Sequence, residues 1–172
     1  MPFSKMHFDS AIETFLRRLQ PKNVLDIGAG AGKYATLLRR ACPGAFVTAV
    51  ELDTEYIERF KLAEKYDEVR RVNAELLLTE VDTDYDLVIF GDVIEHLRKS
   101  VGVDLLNFFV YRSKRILVVF PLRARQGSVD GRSQEAHISI WGPEDFRTFE
   151  HSYDEVGRLA MVQITGYLSH QT

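Results

Sequence analysis

Cysteine is almost absent: Cys42 is the one example in 172 residues. That excludes an internal disulfide and any cysteine-cluster metal site. Cys42 sits before Pro43 at the end of a helical pattern, where packing is its expected role. Apolar residues make up 45% of the chain, yet none of their runs approaches the ~20 residues that span a bilayer. An excess of positive charge is also missing. The net charge is −3 and the isoelectric point about 6.0, which argues against a general nucleic-acid footprint. The first residues, with Ser4, Lys5, His7 and Asp9, lack the apolar core of a secretory signal. Internal repeats, low-complexity tracts and linkers are absent as well. The expectation is one cytoplasmic domain over residues 1–172, with neither a membrane nor a general nucleic-acid partner.

What is present is an alternation of strand and helix patterns. Residues 10–19 predict a helix, with Ile12, Phe15, Leu16 and Leu19 on one face, Ser10 and Glu13 at capping-box spacing, and Pro21 closing it. Strand patterns follow at 23–27, 46–51, 69–72, 86–90 and 116–120. Helical patterns lie between them, from Tyr34 to Ala41, over 54–66 and over 101–112. Such alternation predicts an open, mostly parallel sheet with helices on both faces and right-handed crossovers.

The first βα turn carries the densest signal, Val24-Leu25-Asp26-Ile27-Gly28-Ala29-Gly30-Ala31-Gly32-Lys33-Tyr34. A strand turning into a helix through glycines makes a cup of backbone N–H groups that favours a negative group. The dinucleotide pattern G-x-G-x-x-G would need glycine at Lys33, and a Walker A loop would need it at Ile27 with Ser or Thr at Tyr34. Neither fits; the run is D-x-G-x-G-x-G. In open α/β sheets the ligand lies at the carboxyl ends of the strands. Those ends carry Glu51-Leu52-Asp53, then Val72-Asn73-Ala74, then Gly91-Asp92-Val93-Ile94-Glu95-His96-Leu97.

Together these segments resemble the class I S-adenosylmethionine-dependent methyltransferases, over about residues 23–121. The resemblance implies a Rossmann-like sheet of the seven-strand type and S-adenosyl-L-methionine as cofactor, with S-adenosyl-L-homocysteine as product. It implies that Asp26 lies near the methionine amino group and that Gly28, Ala29, Gly30 and Gly32 approach the methionine part and ribose. Glu51 takes the ribose position beside Leu52, with Asp53 as second choice; a carboxylate accepts two hydroxyls at once. Asn73 and Ala74 fall where the adenine edge is held, though the family often has Asp where this chain has Asn73. Asn73 could equally cap a turn. Gly91 and Asp92 complete the cofactor shelf. The N/D-P-P-Y/F signature of amino-methylating nucleic-acid enzymes is replaced by Gly91-Asp92-Val93-Ile94.

Catalytic groups are less defined. His96 could deprotonate a hydroxyl near neutral pH, or Glu95 and His96 could pack the turn. Asp92, Glu95, His96 and His137 are metal ligands in principle, but their spacing fixes no geometry, so no metal is expected. Residues 122–140 form a connection too long for a simple turn, with Arg123, Arg125, Gly127, Gly131, Arg132 and His137. It is read with 141–142 as an acceptor loop. Its arginines could hold an anionic acceptor, and His137 could serve as base or pack the loop. Gly142-Pro143 predicts a helix start, and residues 152–168 leave barely enough length for the family's last antiparallel pair. The pocket would then be built from the first helix, the turn after strand four and the loop, or from a second subunit. Three readings result: transfer to a small-molecule acceptor, a hydroxyl by preference; transfer to a protein or RNA; or a cofactor-binding protein without catalysis.

Overall fold

The computed structural model describes residues 6–128, 131 and 133–170. Its strands are β1 (Asn23–Ile27), β2 (Phe46–Val50), β3 (Glu68–Arg70), β4 (Tyr85–Gly91), β5 (Ser113–Pro121), β6 (His151–Val156) and β7 (Leu159–Thr165). Its α-helices are α1 (Asp9–Leu19), α2 (Lys33–Ala41), α3 (Thr54–Arg59), α4 (Leu77–Glu80) and α5 (Lys99–Val110). The strands form one sheet in the order β3-β2-β1-β4-β5-β7-β6. β1 to β5 are parallel, and β7 lies antiparallel between β5 and β6.

Parallel strands are covered on both faces, so their side chains divide between two cores. Val24, Leu87, Ile89, Leu117 and Val119 pack toward α1 and α2. Leu25, Ile27, Val88, Phe90, Ile116, Val118 and Phe120 pack toward α5. Polar ties hold the amino ends of the strands in place. Asp86 Oδ2 accepts the Lys22 and Asn23 N–H groups at 2.7 and 3.0 Å, and its other oxygen meets Lys114 Nζ at 2.8 Å. α1 lies on α2 through Phe8, Ile12 and Leu16, with Asp9–Lys33 at 2.7 Å and Glu13–Arg40 at 3.0 Å at the rim. Cys42 is buried there, its thiol on the Leu16 carbonyl at 3.3 Å.

Several boundaries differ from the sequence reading. The capping box does not form, because the helix begins at Asp9 and places Ser10 inside its first turn. The helix expected over 54–66 stops at Arg59; Lys61 turns left-handed (φ 51°) and a 3-10 turn, Leu62–Glu64, follows. The strand expected over 69–72 is shifted to Glu68–Arg70. At Pro143 the expected helix is a 3-10 turn, Pro143–Phe146, and not an α-helix. The C-terminal antiparallel pair is complete. The turn between β6 and β7 uses two residues, Gly157 (φ 63°) and Arg158, and little length is spent on it.

Glycine is required where β4 ends. A Cβ on Gly91 would stand 1.8 Å from Tyr34 Cε2, while a Cβ on Gly44 would meet nothing within 4 Å. The rigid, buried Tyr34 ring cannot yield as a flexible side chain would. Gly91→Ala is therefore expected to cost at least about 1–3 kcal/mol through overpacking, and Gly44→Ala close to nothing. Thermal melting of the two variants checks this, with a fall of ~2–4 °C per kcal/mol for a domain of this size.

Candidate cofactor and acceptor site

Strand order reverses between β1 and β4, and the turns leaving the two strands diverge there. The crevice at this point is where open α/β sheets bind ligands. Here it is a cavity of about 240 Å³, walled by Gly28–Gly30, Val50–Asp53, Val72–Ala74 and Gly91–Val93. Lys33, Tyr34, Tyr56, His96, Leu97 and Glu135 complete it.

The glycine turn is not an open anion cup. Gly28 and Ala29 N–H both donate to the Val50 carbonyl, at 2.8 and 3.1 Å, and Gly32 N–H donates to the Ala29 carbonyl at 2.8 Å. Gly30 N–H donates to Glu51 Oε2 at 2.8 Å. Four of the turn's N–H donors, on Gly28, Ala29, Gly30 and Gly32, are thus already used. The other Glu51 oxygen accepts the Asp53 N–H at 2.9 Å, so this carboxylate ties the glycine turn to the end of β2. Lone pairs remain on both oxygens. Burial raises the Glu51 pKa, and backbone bonds from Asp53, Gly30 and Leu52 oppose that rise.

The other sequence candidates separate by position. Asp53 caps α3, accepting the Glu55 and Tyr56 N–H groups at 2.8 and 3.4 Å, and also borders the cavity. Asn73 Oδ1 accepts the Glu75 N–H at 3.0 Å, so it caps a turn while lining the wall with Ala74. Leu52, Gly91 and Asp92 are on the wall; Gly32 and Asp26 are not. Asp26 lies fully buried behind the turn, its Oδ2 accepting the Tyr66 hydroxyl at 2.5 Å and its Oδ1 without a hydrogen-bond partner. Burial lifts its pKa to about 7; the Tyr66 bond opposes this and the Glu51 charge adds to it.

Across the cavity, the turn after β4 meets the long loop. Asp92 has a positive φ of 52°, and its N–H donates to the Val119 carbonyl at 2.8 Å. Glu95 is 3% exposed, and burial and the Asp92 charge hold its pKa well above the ordinary carboxylate range. His96 reaches the cavity wall, with Nδ1 on the Ala136 carbonyl at 3.1 Å. Burial lowers the His96 pKa; the Ala136 bond opposes this and His137 adds to it. His137 does not reach the wall. It stands behind His96, ring centroids 5.0 Å apart, its Nδ1 on the Ala124 carbonyl at 3.3 Å.

The loop is fastened where it passes the turn. Ile138 and Ser139 N–H groups donate to the Glu95 carbonyl at 3.0 and 3.1 Å, and the Trp141 indole N–H donates to the Ile94 carbonyl at 3.1 Å. Gly102 leaves room for that indole: a Cβ there would come within 2.6 Å of Trp141 Cζ2. Arg123 pairs with Glu144 at 3.4 Å and Arg125 is exposed, so neither lines the cavity. Arg132 lies outside the described residues.

Tyr56 and Glu135 are among the wall residues that the sequence reading did not assign to the site. The Tyr56 hydroxyl donates to Glu135 Oε1 at 2.8 Å, joining α3 to the 3-10 turn Ser133–Glu135 of the loop. Tyr56 was legible only as an apolar helix position, and nothing local marked Glu135.

These features define an α/β protein with an acid-lined crevice at the carboxyl edge of its sheet. A methyltransferase-domain family model matches residues 25–114, just over half the chain. The chain belongs to that family, of the class I S-adenosylmethionine-dependent type, and S-adenosylmethionine is its cofactor. Among the curated proteins none matches it in sequence. Similar solved structures include an O-methyltransferase family protein of Burkholderia thailandensis (TM-score 0.63, 12% identity, 92% of this chain and 58% of that one). TehB of Haemophilus influenzae is also similar (TM-score 0.69, 13% identity, 91% and 62%). So is human N-acetylserotonin methyltransferase, solved with S-adenosylmethionine (TM-score 0.66, 16% identity, 93% and 52%). The chain spans 55% and 58% of the first two O-methyltransferase-type chains it matches. No helix among the described residues is long and apolar enough to cross a membrane.

Asp26 gives a test of the buried charge. Its folded-state value, about 7, lies above the ordinary aspartate value of 3.8. The proton is thus held more tightly in the folded state. The stabilisation is fully present below about pH 4 and is lost as pH rises through 7. Asp26→Asn should flatten the fall in cofactor-free stability between pH 4 and 7, seen in denaturant melts at stepped pH. At about 1.4 kcal/mol per pKa unit, the difference reaches a few kcal/mol at most.

Proposed function

We propose that this chain transfers a methyl group from S-adenosylmethionine to a hydroxyl of a small-molecule acceptor. The observation that carries the reading is the charge of the crevice. Glu51, Asp53, Asp92 and Glu135 line it, its wall lysine, Lys33, is held by Asp9 at 2.7 Å, and the glycine-turn donors are already occupied. Such a site suits a sulfonium and an ammonium group better than a phosphate.

Bound there, the cofactor supplies an electrophilic methyl on a cationic sulfur. The remaining lone pairs of Glu51 accept the ribose hydroxyls beside Leu52. Asn73 and Ala74 border the adenine. Gly28, Ala29 and Gly30, with Gly32 shaping the turn, allow the backbone to approach the methionine part, and Gly91 and Asp92 close the shelf. Asp26 acts from beneath the turn by its charge. The chain's main catalytic task is to hold acceptor oxygen and methyl in line. His96, kept neutral by burial and with Nδ1 engaged, presents Nε2 to the acceptor side as base, with His137 behind it. A positioned base contributes ~10²–10⁴-fold.

In this reading residues 1–172 are one methyltransferase domain. Residues 1–21 hold the N-terminal helix, 22–121 the cofactor core and 122–142 the acceptor loop, and 143–172 the closing strands. The Tyr56–Glu135 bond spans the cavity and must part for exchange of ligands. A cytoplasmic setting belongs to the same proposal, from the low cysteine content. So does a partner list of one small acceptor, without nucleic acid or membrane and with a homodimer as an option for completing the acceptor wall.

Calorimetric titration tests the cofactor side. S-adenosylhomocysteine should bind, and NAD and ATP should not. Glu51→Ala should weaken S-adenosylhomocysteine by about 1.5–3 kcal/mol, the range for hydrogen bonds with a charged partner. NAD binding at micromolar concentration with no response to S-adenosylhomocysteine overturns the assignment. Unchanged affinity in Glu51→Ala, with loss in Asp53→Ala, moves the ribose role to Asp53.

A further inference from the structure

Three titratable side chains converge where the turn after β4 touches the returning limb of the loop. Glu95, His96 and His137 each bring one potential ligand atom within 4.8 Å of the others. His96 Nε2 is 4.0 Å from Glu95 Oε1. Both imidazoles are held alike: Nδ1 of His96 faces the Ala136 carbonyl at 3.1 Å and Nδ1 of His137 faces the Ala124 carbonyl at 3.3 Å. A carbonyl only accepts, so each Nδ1 carries the proton and each Nε2 keeps its lone pair. Holding the second ring nitrogen on a carbonyl is the usual support of a metal-bound histidine.

Glu95 adds the independent observation. It is 3% exposed, and its Oε2 has no hydrogen-bond partner. A buried carboxylate is costly unless paired or coordinated to a cation. The two backbone bonds from Ile138 and Ser139 to the Glu95 carbonyl, at 3.0 and 3.1 Å, fix the two ligand-bearing segments together.

We propose that Glu95, His96 and His137 bind a divalent first-row transition ion. A mixed nitrogen and carboxylate set suits Mn2+, Fe2+ or Zn2+ and not the all-oxygen preference of Mg2+ or Ca2+. His96 is also a wall residue, so an ion on it borders the cavity. The acceptor side of this proposal rests on the methyl-transfer reading; the binding of the ion does not. An acceptor hydroxyl entering beside His96 would become an additional ligand; the ion would lower its pKa as it does that of bound water, and the proton would pass to solvent before the oxygen takes the methyl group. The substrate class is then an oxygen nucleophile able to ligate a metal, and the ion replaces His96 as the activating group.

The full chain, stripped with a chelator, is titrated by calorimetry with MnCl2 and separately with ZnCl2, the Mn2+ arm also followed by loss of the free-ion electron paramagnetic resonance signal. At least one ion should bind one-to-one and raise the melting temperature. Glu95→Gln and His137→Gln, checked for folding by circular dichroism, should each weaken that ion at least about 10-fold, the loss that even supporting groups around a metal cause. S-adenosylhomocysteine titrated into the same metal-free samples reports the cofactor site separately. Native protein that takes up neither ion, or variants that bind it as tightly as native, overturns the metal site. Should one variant misfold, the other and the native stoichiometry decide. If the ion binds and S-adenosylhomocysteine does not, the metal site stands and the methyl-transfer reading falls.

Discussion

The Glu51 carboxylate is the constraint on which the cofactor crevice depends. One oxygen holds the Gly30 N–H and the other the Asp53 N–H, at 2.8 and 2.9 Å. The first bond consumes a donor that a glycine-rich turn would otherwise aim at an anion. The second sets the residue that caps α3, and so the direction in which Tyr56 leaves the wall. A charge-assisted bond of this kind is stronger than a neutral one, and two of them hold the carboxylate in place before any ligand arrives. The crevice is therefore shaped in advance, and its lining is rich in carboxylates.

That choice carries a cost in stability that the rest of the fold offsets. Asp26, Tyr34 and Glu95 are each buried with a polar atom lacking a hydrogen-bond partner. Asp26 and Asp92 both raise the Tyr34 pKa on top of its burial, so one shared negative potential runs beneath the site. The seven-strand sheet, with apolar cores on both faces, supplies the surplus that tolerates it. Groups left unsatisfied in this way are expected where function sets the residue rather than stability.

How much of this was legible in the sequence follows the range of the interactions. The parallel strands were readable, because burial on both faces writes a continuous apolar run such as Leu87–Phe90. The glycine turn and Glu51 were readable as neighbours of strand ends. The anion cup was misread, because the acceptors that fill it, the Val50 carbonyl and Glu51, come from a different strand. The helix expected over 54–66 kept its apolar pattern past Arg59, and only the left-handed backbone at Lys61 ends it. No local pattern placed Tyr56 against Glu135, since that bond joins segments far apart in the chain.

The histidines show the same limit at the acceptor side. His96 and His137 are individually unremarkable in the sequence, and each could have been a packing residue. What joins them is the docking of the loop on the β4 turn: the Ile138 and Ser139 bonds to Glu95, and the Trp141 indole seated where Gly102 has no side chain. These contacts are main-chain bonds and shape, which residue spacing does not record. They also set a physical limit on the loop as a gate. Its limb at 137–141 is fastened to the floor of the acceptor side, whereas the Ser133–Glu135 turn reaches the opposite wall through the Tyr56–Glu135 bond. The Tyr56 side of the cavity is thus closed by one side-chain bond and the histidine side by several bonds to main-chain carbonyls, so of the two the Tyr56 side takes less to open.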